Sequence, residues 1–129
     1  MNAPIIEHIN ITVRDGAATA AKLNDLFGWH IRWEGEAMNG VGYTWHIGTE
    51  TDYLALYSPK AAAGSSEANS YAEAGRMNHI GLVVDDLDAM ERRVLAAGYK
   101  PHLHADYEPG RRFYFDTEDG IEFEIVSYG

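Results

Sequence analysis

Residues 8–15 read HINITVRD and residues 79–86 read HIGLVVDD. In both stretches His, Ile, an aliphatic residue, Val and Asp fall in the same order. Each is followed by an amphipathic segment that ends at a glycine, Gly28 in the first and Gly98 in the second. A near-repeat of this length in a chain of 129 residues points to two copies of one supersecondary unit.

Working outward from the first copy, residues 7–14 alternate. His8, Asn10 and Thr12 fall on one face, and Ile9, Ile11 and Val13 on the other, the pattern of a half-buried strand. Asp15-Gly16 breaks the strand, and Asp15 suits a helix N-cap. Residues 17–27 then place Ala20, Leu23 and Phe27 on one helical stripe with Leu26 beside it, and Gly28 ends the helix. Three strand-like runs follow, WHIRWEGE (29–36), VGYTWHIG (41–48) and DYLALYS (52–58), separated by glycine-containing or polar breaks.

The second copy repeats this plan. Ile80, Leu82 and Val84 form its apolar face, with His79, Gly81 and Val83 opposite. Asp86 is placed to cap a helix carrying Leu87, Met90, Val94 and Ala97 on one face and ending at Gly98. Strands are expected at about 99–104, 111–116 and 121–128, with turns at Glu108-Pro109-Gly110 and Glu118-Asp119-Gly120. Between the copies, residues 59–77 are small and polar, a linker with a helical turn expected around Ser70–Gly75. The expectation is an α+β fold of a single domain, 1–129. Module 1 covers about 5–58 and module 2 about 78–129. The two tandem βαβββ modules form a cupped mixed sheet, or half-barrel, with the helices packed outside.

Composition narrows the function classes. With 20 acidic against 10 basic residues the formal net charge is −10, which repels phosphate backbones and argues against nucleic acid. Eight tyrosines, four phenylalanines and three tryptophans give core material that a disordered chain lacks. There is no cysteine, so any metal must be held by the six histidines and the carboxylates. No apolar run approaches the roughly 20 residues of a membrane span. The N-terminal residues show no basic signal region, so a soluble cytoplasmic protein is expected.

Both HI-x-aliphatic-x-V strands, LFGW after the first helix, AAGYKP after the second and RRFYFDTEDGIEFEIVSY near the end occur in one order. In this the chain resembles the vicinal oxygen chelate superfamily. That group includes glyoxalase I, extradiol dioxygenases, fosfomycin-resistance thiol transferases and bleomycin-resistance proteins. The resemblance implies a divalent metal (Fe, Mn, Ni or Zn) held by His8 and His79 from the first strands of the two modules and by Glu124 from the FYF-x-x-x-DG-x-x-x-E pattern. Strand alternation agrees, since all three side chains fall opposite apolar neighbours. Two imidazoles and one carboxylate leave coordination positions open, as catalysis requires.

The subfamilies fit unequally. Glyoxalase I has a further carboxylate ligand at the position matching Ala55, and alanine cannot bind a metal, so that reaction is not expected. Fosfomycin thiol transferases have a tyrosine matching Tyr114, but the chain lacks their arginine beyond the last strand and their potassium-loop pattern. Extradiol dioxygenases share the two-His, one-carboxylate set, but most are about twice as long.

The resulting expectation is an enzyme of lyase, isomerase or dioxygenase type, whose small substrate chelates the metal through neighbouring oxygens. Tyr114 is the catalytic candidate and Tyr53, Tyr57 and Arg112 the substrate-binding candidates. The alternative for Arg112 is pairing with an acidic neighbour. His46 is weighed as a general base against a surface or edge position. His102 and His104 are expected to share a strand face, and Glu122 is weighed as an acid–base partner against a rim carboxylate. A homodimer is expected, with the active site either within one chain or shared between subunits. The competing function is a metal-free protein that sequesters an aromatic or drug-like ligand, for which Trp33, Tyr43, Trp45, Tyr53 and Tyr57 offer surfaces.

Overall fold

A computed structural model describes residues 2–37, 40–61, 64, 71–107 and 110–129. Within them the chain forms two compact units, Met1–Gly64 and Ser65–Gly129. The first contains β1 (His8–Thr12), α1 (Gly16–Phe27), β2 (His30–Glu36), β3 (Gly42–Gly48) and β4 (Tyr53–Pro59). The second contains β5 (Ile80–Val83), α2 (Leu87–Ala96), β6 (His102–Tyr107), β7 (Gly110–Asp116) and β8 (Glu122–Ser127). Each unit is βαβββ, as the repeated phrase implies.

The two sheets have the same open, mixed topology, β1-β4-β3-β2 and β5-β8-β7-β6. In each the first strand runs parallel to the fourth, and the other neighbours are antiparallel. A parallel pair needs a crossover, and the helix after the first strand belongs to it. Both helices start on an aspartate whose side chain accepts from the amide three residues on. Asp15 takes Ala18 N–H at 3.0 Å and Asp86 takes Ala89 N–H at 3.0 Å.

In the first unit, Ala20, Leu23 and Leu26 of α1 are buried together with Val13, Ile47, Leu54 and Leu56, the apolar residues of the strand alternation. Each of the Val, Leu and Ile side chains contributes about 1.5–3 kcal/mol by leaving water. Ser58 locks the β1–α1 corner. Its hydroxyl accepts from Gly16 N–H at 2.9 Å and donates to the Val13 carbonyl at 2.9 Å. Gly16 permits the close approach of Trp45, since a Cβ there would stand 2.2 Å from the indole ring.

The second unit is built on larger rings. Phe113, Phe115 and Phe123 are fully buried beside Ile125 and Val94. Phe115 stacks on Phe123 with ring centres 5.4 Å apart, and the Tyr99 ring lies tilted 5.4 Å from Phe115.

Two local expectations change. The strand placed at about 99–104 begins at His102 and runs to Tyr107, because α2 is followed by a left-handed Gly98 (φ 91°) and by Pro101, which has no amide to donate. His102 and His104 do not share a face. Leu103 has φ 54° and the β6–β7 register shifts between His102 and Ala105. His102 therefore stacks on Tyr114, while His104 reaches Glu91 of α2 at 3.0 Å on the helix side. The expected turn at Glu108-Pro109 and Ser70 of the expected linker turn lie outside the described residues.

Candidate metal centre

The face of each sheet opposite its helix carries the polar side chains. In the first unit the register sets His8 beside Tyr53, Asn10 beside Ala55 and Thr12 beside Tyr57, so the residues expected to share a face do so. The His8 ring stacks on Tyr53 at 4.9 Å, and Tyr53 stacks on His46 at 4.5 Å. His46 in turn meets Trp33 at 5.0 Å. The β2 register shift between Ile31 and Trp33 lets Arg32 join the same column, its guanidinium 4.5 Å from the Tyr53 ring centre.

Glu7 closes the column at its β1 end. One carboxylate oxygen accepts from His8 Nδ1 at 2.8 Å and from the Tyr53 hydroxyl at 3.3 Å. The bond from His8 holds the Glu7 carboxyl below its usual range. Partial burial, with the Glu7 charge adding to it, pushes the Tyr53 phenol up.

His46 is half-buried in the interior strand β3, not at a surface or edge position. Burial lowers its pKa, and the charges of His8 and Arg32 lower it further, which favours neutral imidazole. Tyr57 is brought to the same face but not to the same place. Its hydroxyl donates to the Val41 carbonyl at 3.3 Å. Four residues of strand put it about 13 Å along β4 from Tyr53.

The second unit gathers charges where the first gathers rings. Tyr114 and Glu124 are cross-strand partners, and the Tyr114 hydroxyl donates to Glu124 Oε2 at 2.5 Å. Arg112 Nη1 lies 3.4 Å from the same oxygen, with side-chain exposures of only 11% for Arg112 and 14% for Glu124. The second Arg112 Nη bonds the Gly110 carbonyl at 3.3 Å. The acidic partner of Arg112 is thus the metal-ligand candidate itself. Two donors fix that carboxylate, and a pair this dry strengthens both bonds.

His79 stands edge-on to Tyr114, ring centres 5.6 Å apart, with Nε2 3.9 Å from Glu124 Oε2. That gap is too long for a hydrogen bond. It lies within the roughly 4 Å that two metal–ligand bonds of about 2.1 Å can span across one ion. Gly81 lies beside Glu124 in the β5–β8 register, and a Cβ there would make only ordinary van der Waals contact with Glu124 Oε1, at 3.6 Å. His79 and Glu124 therefore fit a shared divalent ion. His8 belongs to the other unit.

The sequence reading did not single out Tyr71, Asp116 or Glu7. Tyr71 is the one large ring in the small-residue linker, a signal that was there to find. Its hydroxyl donates to Glu122 Oε1 and lies 3.5 Å from His79 Nδ1. The bond to Glu122, with burial, pushes the Tyr71 phenol up to about 12. His102 Nε2 lies 3.3 Å from Asp116 Oδ2. Among the described residues His102, Asp116 and Glu122 form a grouping whose ligand atoms lie within 4.8 Å of one another, and it is not the expected ligand set.

Comparison with known proteins agrees with this architecture. A sequence profile described as Glyoxalase/Bleomycin resistance protein/Dioxygenase superfamily matches residues 5–125. No curated protein matches the chain. Among solved structures, a glyoxylase/bleomycin resistance protein/dioxygenase domain from Frankia sp. EAN1pec superposes with TM-score 0.81 at 18% identity, covering 99% of this chain and 94% of that one. The fosfomycin resistance protein FosX from Mesorhizobium loti gives 0.69 at 21% identity, covering 97% and 92%. A FosX variant from Listeria monocytogenes, complexed with Mn(II) and 1S,2S-dihydroxypropylphosphonic acid, gives 0.74 at 20% identity, covering 98% and 90%. Identities this low speak for the fold alone. With a family match over nearly its whole length and the doubled βαβββ architecture, the chain belongs to the glyoxalase/bleomycin resistance protein/dioxygenase superfamily.

Proposed function

We propose that the protein is a divalent-metal-dependent enzyme of lyase, isomerase or dioxygenase type, acting on a small molecule that binds the ion through two neighbouring oxygens. The two modules work as one domain, 1–129. His8, His79 and Glu124 hold the metal. Carrying this reading is the His79–Glu124 pair, spaced for a shared ion on one sheet face and backed by a dry Arg112–Tyr114 hydrogen-bonding platform.

Bound there, the ion supplies Lewis acidity to a coordinated oxygen. Tyr114, whose hydroxyl is already on Glu124, would orient substrate bound to that ion. Tyr53 offers a ring face, Tyr57 a more distant wall, and Arg112 a positive charge behind the carboxylate. Ala55 gives no fourth ligand, which disfavours the glyoxalase I reaction. Iron, manganese, nickel and zinc all suit the donor set, and manganese is the first to test because a FosX neighbour was crystallised with Mn(II). Its other ligand, a dihydroxy acid, makes vicinal diols and their phosphonates reasonable first substrates.

We place the enzyme in the cytoplasm as a homodimer, the His8 ligand coming either from the same chain or from a second copy. Mixing His8→Ala with Glu124→Ala protein tests the latter. With shared sites a mixed dimer regains one intact centre and metal uptake returns; with sites inside one chain no uptake returns.

A second reading is favoured by the His8–Tyr53–His46–Trp33 column, a ready stacking surface: a metal-free protein that sequesters a planar ligand. Binding of an aromatic ligand that is indifferent to chelator, without turnover, would support it over the enzyme.

A further inference from the structure

Both histidines of the proposed centre have their Nδ1 atoms occupied from behind. His8 Nδ1 lies 2.8 Å from Glu7 Oε1. A carboxylate only accepts, so Nδ1 carries the proton, and in the neutral ring that leaves the lone pair on Nε2. Tyr71 does the same for His79 by a longer route. Its single hydroxyl proton goes to Glu122, so its oxygen faces His79 Nδ1, at 3.5 Å, as an acceptor. His79 is thereby also set to keep its proton on Nδ1, and its Nε2 is the atom turned towards Glu124.

The two arrangements arise independently. Glu7 is the residue before the strand that carries His8, whereas Tyr71 comes from the segment ahead of β5 and Glu122 from β8. That two unrelated sets of residues act on the same ring atom is hard to ascribe to ordinary surface pairing. Ligating histidines characteristically give their second N–H to such a partner, which fixes tautomer and ring orientation and raises ligand basicity.

Resting on the metal reading above, we propose that Glu7 and the Tyr71–Glu122 pair are positioning residues that hold His8 and His79 in the Nδ1–H tautomer, so that both Nε2 lone pairs face the metal. Glu7 also accepts from Tyr53, so it sets the His8 ring and the ring stacked on it together. Tyr71 ties the approach to the second module onto the proposed ligand that opens it.

The test uses full-length protein labelled with ¹⁵N in its histidines and two readouts: imidazole tautomer by NMR without metal, and Mn(II) affinity. In the wild type, His8 and His79 are expected as Nδ1–H tautomers. Glu7→Ala should release only His8 to a mixture of tautomers, and Tyr71→Phe only His79. Each should weaken Mn(II) binding by roughly 10–100-fold. Glu7→Gln keeps a carbonyl acceptor and should restore the His8 tautomer. Tyr71→Phe is chosen over a Glu122 variant because Glu122 also belongs to the His102–Asp116 grouping, and changing it would alter two sets of contacts at once.

Unchanged tautomers and unchanged Mn(II) affinity in Glu7→Ala and Tyr71→Phe would overturn the inference while leaving the metal reading intact. A wild-type protein that takes up no divalent ion would overturn the metal reading instead, and the tautomers of the metal-free variants would still decide whether Glu7 and Tyr71 set the rings.

Discussion

The two modules share a strand order, a parallel first-to-fourth strand pair and an aspartate cap at the same place, yet their polar faces differ in kind. In the first, His8, Tyr53, His46 and Trp33 form a column of rings with Arg32 against it. In the second, Glu124 is held by Tyr114 and Arg112 with His79 beside it, while Tyr71 bonds Glu122 and His102 pairs with Asp116. The difference teaches that strand alternation and caps fix the scaffold twice over, while the exposed face of each sheet is free to diverge. One face became a stacking surface with one ligand candidate, and the other a carboxylate-centred cluster with two.

The largest expected effect sharpens this contrast at the ligands. His79→Ala and Glu124→Ala should each abolish metal uptake, and His8→Ala should do so equally although it lies in the aromatic module. Uptake that survives His8→Ala would make the second module self-sufficient and break the proposed division of labour.

The cores should differ next. Phe113→Ala removes a fully buried ring and should cost about 3–5 kcal/mol, whereas Leu23→Ala in the first module should cost about 2–5 kcal/mol. Denaturant unfolding reads both, and the ring-built second core is expected to be the more sensitive.

Titration gives a third contrast. Tyr71 is raised from an ordinary 10.0 to about 12 by Glu122, so its phenol stays protonated through neutral pH. A raised pKa of this kind adds stability in full below pH 10, which is lost as pH climbs towards 12. Ultraviolet titration should show Tyr71 among the late tyrosines, with Tyr99 raised further by its burial, and Glu122→Gln should return Tyr71 alone towards 10. Glu7 in the first module has the opposite sign. Its lowered pKa means that the His8 contact is present above the usual carboxylate range and lost on acidification through the lowered value, which carboxyl NMR can follow.

The caps should show the smallest effect and the least contrast. Asp15→Ala and Asp86→Ala are each expected to cost about 1 kcal/mol, because each removes the same side-chain bond to the third amide of its helix. A large inequality between them would mean that the two helix starts are not equivalent after all.

Much of this could be read from the chain. Alternation in HINIT and IGLV assigned the faces of β1 and β5, and Asp15 and Asp86 marked both helix starts. The register then sets Tyr53 beside His8 and Tyr114 beside Glu124. What escaped depends on departures from regular geometry or on contacts remote in sequence. The positive φ of Leu103 and the register shift beside it sent His104 to the helix side, and alternation cannot anticipate a bulge. Tyr71 reaches Glu122 across 51 residues, and no spacing rule connects a linker tyrosine to the last strand. His46 became interior because β3 lies between β4 and β2, a matter of sheet order that the strand's own sequence does not encode.

The most direct measurement is Mn(II) titration of metal-free protein by electron paramagnetic resonance, comparing the wild type with His8→Ala, His79→Ala and His102→Ala. One tightly held ion per chain is expected in the wild type and in His102→Ala, with loss of that ion in the other two. Tight binding that survives both His8→Ala and His79→Ala but disappears with His102→Ala would place the ion at His102, Asp116 and Glu122 and contradict the proposed centre.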